Sequence, residues 1–262
     1  MKAMERFYYI ELYKLFKRKD VFWSLLISIF VPLLFGLLAK TESDILTISG
    51  EKFSAFQYAI MMFGFLKSLF LFYFMFIIFT SSTFAGELEK GNLSLLLVRS
   101  ENRVKIMLSK VLALLTVLMV FIFFVILSGI ISYYIFLYNT KFATNEFLGR
   151  QYLTFLYMPL LSIFEIILII AVTMLLSLFF GIYKTNLLSL GLIILMKVLE
   201  KVDKIKVFIP TYLADINAWG NIYKTEYQLL IKVMQNIGFL SIYIVIVLIV
   251  TLYYFSRMEI KN

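Results

Sequence analysis

VLALLTVLMVFIFFVILSGIISYYIF, residues 111–136, contains no charged side chain and no polar stripe at helical spacing. A helix crossing the hydrocarbon layer needs about 20 consecutive apolar residues at about 1.5 Å of rise each. Residues 111–136 meet that requirement, so the stretch reads as a transmembrane helix. Working outward from it, similar blocks recur at 21–39, 58–85, 158–182 and 237–255, with a shorter one at 187–203. The expected fold is all-α and integral to a membrane: six spans in a single domain covering 1–262.

Composition agrees. Of 262 residues, 62% are hydrophobic and 16% charged, against about 25% charged in soluble domains. The formal charge of +9 points to anionic lipid and membrane orientation rather than to nucleic acid. There is no cysteine and no histidine, which removes disulfides, thiolate and imidazole metal sites and histidine-based acid–base catalysis. The first 20 residues are too charged for a cleavable signal peptide. They read as an amphipathic helix on the membrane surface, with Met4, Phe7, Tyr8, Leu12, Leu15 and Phe16 on one face and Arg6, Lys14, Lys17 and Arg18 mostly off it. Glu11 falls in the apolar sector, where Lys14 at i+3 is a natural partner.

Trp23 suits an interfacial depth, and Pro32 marks a kink within 21–39. Polar loops occupy 40–57 and 137–157, YKTN at 183–186 makes a tight turn, and 204–236 is mixed. With the N-terminus inside, the inner segments 1–20, 86–110, 183–186 and 256–262 hold 14 basic residues among 56 positions, and the outer segments 40–57, 137–157 and 197–236 hold 10 among 79. The positive-inside rule then places both termini in the cytoplasm. If 187–203 did not span, the C-terminus would lie outside.

GELEKGNLSLLLVRSENRVKIMLSK, residues 86–110, is too short for a domain yet patterned for a helix. Leu93, Leu96 and Leu97 recur at i, i+3 and i+4. Glu87 and Glu89 suit a helix N-terminus, Gly91 permits a sharp bend, and Arg99, Arg103, Lys105 and Lys110 suit a phosphate surface. An ordinary positive-inside loop would share that charge. Its Gly86 and Gly91 have the spacing of a phosphate-binding loop, but Asn92 and Leu93 replace the lysine and hydroxyl residue, so the chain is not expected to hydrolyse nucleotide. No catalytic or metal site is expected.

The pattern Glu89, Gly91, Leu93, Leu96, Leu97, Ser100, Arg103 and Lys110 resembles the cytoplasmic loop of type-2 ABC-exporter permeases, with Asn92 where the family usually has threonine and no proline near the turn. The basic opening with Glu11 and Lys14, the six spans, and an ending with Phe255 and Arg257 extend the resemblance. It implies that the opening helix (Glu11, Lys14, Lys17, Arg18) is a connecting helix and that 86–110 carries a coupling helix, with Glu87, Glu89, Gly91, Leu93, Leu96, Leu97, Arg99 and Arg103 docking an ATP-binding subunit. It also implies short extracellular re-entrant helices before the last span. The assembly would hold two ATPase subunits, which bind ATP and Mg, and a second permease, identical or related, in the cell membrane. The expected cargo is hydrophobic or amphipathic: an antimicrobial peptide, a lipid or a drug.

Three ionisable residues fall inside the expected spans: Lys67, Glu165 and Lys197. Counting at about 1.5 Å per residue, the first two lie roughly 25 Å and the third roughly 20 Å from the cytoplasmic ends. Either lysine is a candidate partner for Glu165, and either could instead extend to the headgroups. An ion-coupled carrier using Lys67 and Glu165 is the alternative function, although neither half of the chain echoes the other.

Overall fold

The computed structural model describes residues 2–41, 52–91, 103–149, 152–223 and 225–257. Helices α1 (Lys2–Phe16), α2 (Lys19–Lys40), α3 (Ala55–Ser68) and α4 (Leu71–Glu89) precede α5 (Arg103–Ser132), which continues into a π-helical turn (Tyr133–Leu137). Next come α6 (Tyr152–Ser177) and α7 (Ile182–Leu199), two single-turn helices α8 (Pro210–Leu213) and α9 (Ile216–Trp219), and the long α10 (Glu226–Arg257). Six helices, α2, α4, α5 with its π turn, α6, α7 and α10, are long and apolar enough to cross a membrane. There is no β-sheet among the described residues.

Several boundaries differ from the sequence reading, each for a local reason. The block 58–85 is two helices, not one. The chain turns at Leu69–Phe70, with Phe70 in the left-handed region at φ 61° and its N–H donating to the Lys67 carbonyl at 2.9 Å. Lys67 lies in the last turn of α3, where a cation complements the carbonyl-rich helix end. Block 158–182 ends earlier, at Ser177, and YKTN is not a turn but the start of α7. The last span begins at Glu226, so its first turns absorb part of the expected re-entrant region. Pro32 sits inside a continuous α2.

Contacts divide the chain into two compact units. One comprises 18–71 and 118–160. Its core gathers Ala39, Tyr58, Met62, Tyr133 and Leu137. Ser54 starts α3 with a reciprocal cap: its hydroxyl accepts from Gln57 N–H at 3.3 Å, and the Gln57 side chain accepts from Ser54 N–H at 3.0 Å. Residues 138–149 lie along this start, where Phe53 N–H donates to the Phe142 carbonyl at 2.8 Å and Phe56 N–H to that of Phe147 at 2.9 Å. On α2 the Pro32 carbonyl receives both the Tyr58 hydroxyl (2.9 Å) and the Ser132 hydroxyl (2.7 Å).

The other unit comprises 1–17, 72–117 and 161–262. Tyr73, Phe76, Phe79 and Phe84 of α4 are buried, so the aromatic cluster on this helix is mostly interior packing. On the α1 face expected to meet lipid, Leu15 is buried, Met4, Phe7, Tyr8 and Leu12 are half-buried and Phe16 is exposed, as Tyr9, Ile10 and Tyr13 are beside it; Tyr8 and Thr116 share a hydrogen bond of 2.9 Å. Around α8 and α9, Trp219 Nε1 donates to the Tyr212 carbonyl (3.1 Å) and Asn236 Nδ2 to that of Leu213 (3.0 Å), fixing these turns on α10.

Glycines separate crowded from open helix faces. A Cβ on Gly129 would stand 2.7 Å from Ala59 Cα, a backbone atom, whereas one on Gly191 would meet nothing within 4 Å. Gly129→Ala should destabilise the protein by about 1–3 kcal/mol. Gly191→Ala should stabilise it by about 0.5–1 kcal/mol. Thermal unfolding of the two variants in detergent should move in opposite directions.

Candidate functional site

Four charged side chains meet at the end of the second unit where α4 stops and α5 begins. Glu11 and Lys14 share a face of α1, Glu87 lies in the last turn of α4, and Lys110 is two turns into α5. Lys110 has no solvent exposure, yet its Nζ donates to Glu87 Oε2 (2.6 Å), Glu11 Oε2 (2.9 Å) and the Thr83 carbonyl (3.5 Å). An ammonium has three donors, and here each has an acceptor. Lys14 Nζ donates to the other oxygens of the same carboxylates, Glu11 Oε1 at 2.9 Å and Glu87 Oε1 at 3.1 Å. The result is a closed ring of two ammoniums and two carboxylates joining three helices.

Burial alone would lower the pKa of Lys14, but the hydrogen bonds and charges of Glu11 and Glu87 outweigh it and raise the ammonium above its ordinary value. Lys14 therefore stays charged at neutral pH. Exposure is graded, with the Lys14 side chain 43% exposed, Glu87 16%, Glu11 6% and Lys110 none. Coulomb attraction is screened least where water is most excluded, so the Lys110 contacts dominate.

The flanks of the loop are tied down separately. Glu89 Oε1 accepts the Ile182 N–H at 3.1 Å, capping the start of α7, and a Cβ on Gly181 would collide with that carboxylate oxygen. Gly91 closes α4 at φ +69°, a conformation suited to glycine. On the other flank, Arg103 donates to the Ser256 carbonyl near the end of α10 (3.1 Å), and Ser109 to that of Met4 (3.2 Å). Glu11, Lys14, Glu87, Glu89, Gly91 and Arg103 thus gather at one end of the unit. Leu93, Leu96, Leu97 and Arg99 lie outside the described residues. Lys17 sits over the Tyr13 ring at 4.6 Å, and Arg18 pairs with Asp20.

Sequence reasoning paired Glu11 with Lys14 but treated Lys110 as a phosphate-surface charge. The signal available was the placement of Lys110 seven residues into a helix, directly before an apolar run, where an ammonium needs an internal partner.

Lys197 pairs with its i+3 neighbour Glu200 at 3.2 Å, and Glu200 also accepts the Thr211 hydroxyl at 2.8 Å. Glu165, 1% exposed, accepts the Tyr73 hydroxyl at 2.7 Å. Lys67 is buried at the end of α3, in the first unit described above.

Six helices long and apolar enough to cross a membrane make this a multi-pass membrane protein. The family model for ABC-2 family transporter proteins matches residues 8–200, and the chain belongs to that family. No curated protein and no solved structure matches the chain significantly. Membership makes it a transporter's membrane subunit and implies an ABC ATP-binding partner.

Removing one member of the ring leaves an opposite charge buried without compensation, which typically costs about 3–5 kcal/mol. Lys110→Ala should therefore lower the unfolding temperature sharply, and the more exposed Lys14→Ala much less. A double-mutant cycle of Lys110→Met with Glu87→Gln should show a coupling of about 0.5–3 kcal/mol; strict additivity would mean that the pair does not interact.

Proposed function

We propose that the chain is the permease subunit of an ABC exporter for a hydrophobic or amphipathic cargo, such as an antimicrobial peptide, a lipid or a drug. The observation that carries this reading is the closed charge ring. It ties α1 to both flanks of the 86–110 loop, the arrangement needed if a push on the loop is to reach the membrane helices as one motion.

In this reading α1 is the connecting helix and the loop is cytoplasmic, as are both termini. The leucines Leu93, Leu96 and Leu97 seat in a cleft of an ATP-binding subunit, with Arg99 and Arg103 beside them. Two such ATPases, binding ATP and Mg, serve two permeases, this chain with a copy of itself or a sibling. The turns between α7 and α10 are the extracellular re-entrant region. Glu11, Lys14, Glu87 and Lys110 transmit force and bind no nucleotide; the bond they protect is mechanical continuity between α1, α4 and α5.

Co-purification tests this. An ABC ATPase encoded beside this chain should remain bound to it in detergent, and Leu96→Glu combined with Leu97→Glu should release it while the permease keeps its unfolding temperature. A neighbouring ATPase that never associates, or one indifferent to both leucines, would refute the docking.

A further inference from the structure

Helix α10 is longer than a bilayer requires. Its 32 residues extend about 48 Å at about 1.5 Å each, against a hydrocarbon layer about 30 Å thick. The apolar run is 237–255, so the turns before Ile237 stand beyond the hydrocarbon, at the face away from Arg257. Counting back from Ile237 along the helix, Gln235 and Lys232 lie about 3 Å and about 7.5 Å out, within the headgroup layer, and Gln228 about 13.5 Å out.

Within the second unit, Gln228, Ile231, Lys232 and Gln235 share one face of these turns at i, i+3, i+4 and i+7. With Ile222 and Tyr223 they line a groove of about 400 Å³. Both walls are held from behind: the Tyr223 ring packs edge-on against buried Trp219, centroids 6.2 Å apart, and α10 buries Leu229 and Val233 on its other side. Lys232 is half-buried, and among the described residues it has no hydrogen bond or ion pair. No carboxylate among the described residues lines the groove.

The chemistry of a ligand follows from these groups. An ammonium, two carboxamides and a phenol offer several donors, and Lys232 is the charged one, which suits an anion. At headgroup depth the anion present is a lipid phosphate. A zwitterionic headgroup brings a second cation that no carboxylate of the groove balances. A glycerol headgroup brings hydroxyls instead, and a carboxamide can bond these as donor or acceptor. Ile222 and Ile231 suit the first methylenes of the acyl chains.

We propose that this groove binds the phosphate of an anionic phospholipid with a hydroxylated headgroup, phosphatidylglycerol in kind. The proposal concerns a resident lipid and stands independently of cargo and of the ATPase.

The test is native mass spectrometry of the purified full chain in detergent with equal amounts of phosphatidylglycerol and phosphatidylcholine. One phosphatidylglycerol should be retained per chain with about fivefold preference, the worth of one lysine at an anionic surface. Lys232→Ala should abolish the preference and Lys232→Arg should keep it, while Gln228→Ala combined with Gln235→Ala should reduce it about threefold. Lys204→Ala removes an exposed lysine outside the groove and should change nothing, which separates a site from general surface charge. Phosphatidylglycerol should also raise the unfolding temperature of the parent chain but not that of Lys232→Ala. Equal retention of the two lipids, a preference indifferent to Lys232→Ala, or one lost equally on Lys204→Ala would overturn the proposal. So would release of the bound lipid by millimolar inorganic phosphate, which would assign the groove to a soluble anion.

Discussion

A lysine with no access to water is tolerable only if every donor on its ammonium is met and its charge is cancelled locally. Lys110 satisfies both conditions by drawing one carboxylate from α1 and another from α4, with a backbone carbonyl as the third acceptor. That requirement fixes the positions of three helices at once. Hydrophobic burial cannot do the same work inside a bilayer, because lipid tails satisfy apolar faces as well as other helices do. Specific polar contacts decide which helix touches which, and the same logic places Tyr73 on Glu165 and the Tyr58 and Ser132 hydroxyls on the Pro32 carbonyl.

The capping of α7 shows a second way in which distant segments are joined. Glu89 lies 93 positions before Ile182, yet its carboxylate closes the helix start that no side chain at the N-cap position, Gly181, could close. Gly181 is there for a different reason, since a larger residue would occupy the space of the carboxylate. The loop is therefore anchored at its α4 side to α1 and α7, and at its α5 side to α1 and α10.

The helices were legible because long apolar runs have few other fates; 111–136 could hardly be anything else. Their ends were less so. The break at Leu69–Phe70 carries neither glycine nor proline, and the aromatic run through it reads as continuous. The turn after Ser177 was displaced because apolar Leu178, Phe179 and Phe180 look like span. Of the charge ring, Glu11 with Lys14 was visible as an i+3 pair, but Lys110 with Glu87 and Glu11 is a tertiary contact that periodicity cannot reveal. The same holds for Glu165: its burial could be read, but its Tyr73 partner could not.

The ring around Lys110 contains as many positive as negative groups. A displacement that carries the four together along the membrane normal moves no net charge, so the transmembrane potential does no work on it. Separating a single member would change that, since one elementary charge crossing the full field is worth about 2.3 kcal/mol per 100 mV. If the ring transmits the motion proposed above, that motion is independent of how energised the membrane is.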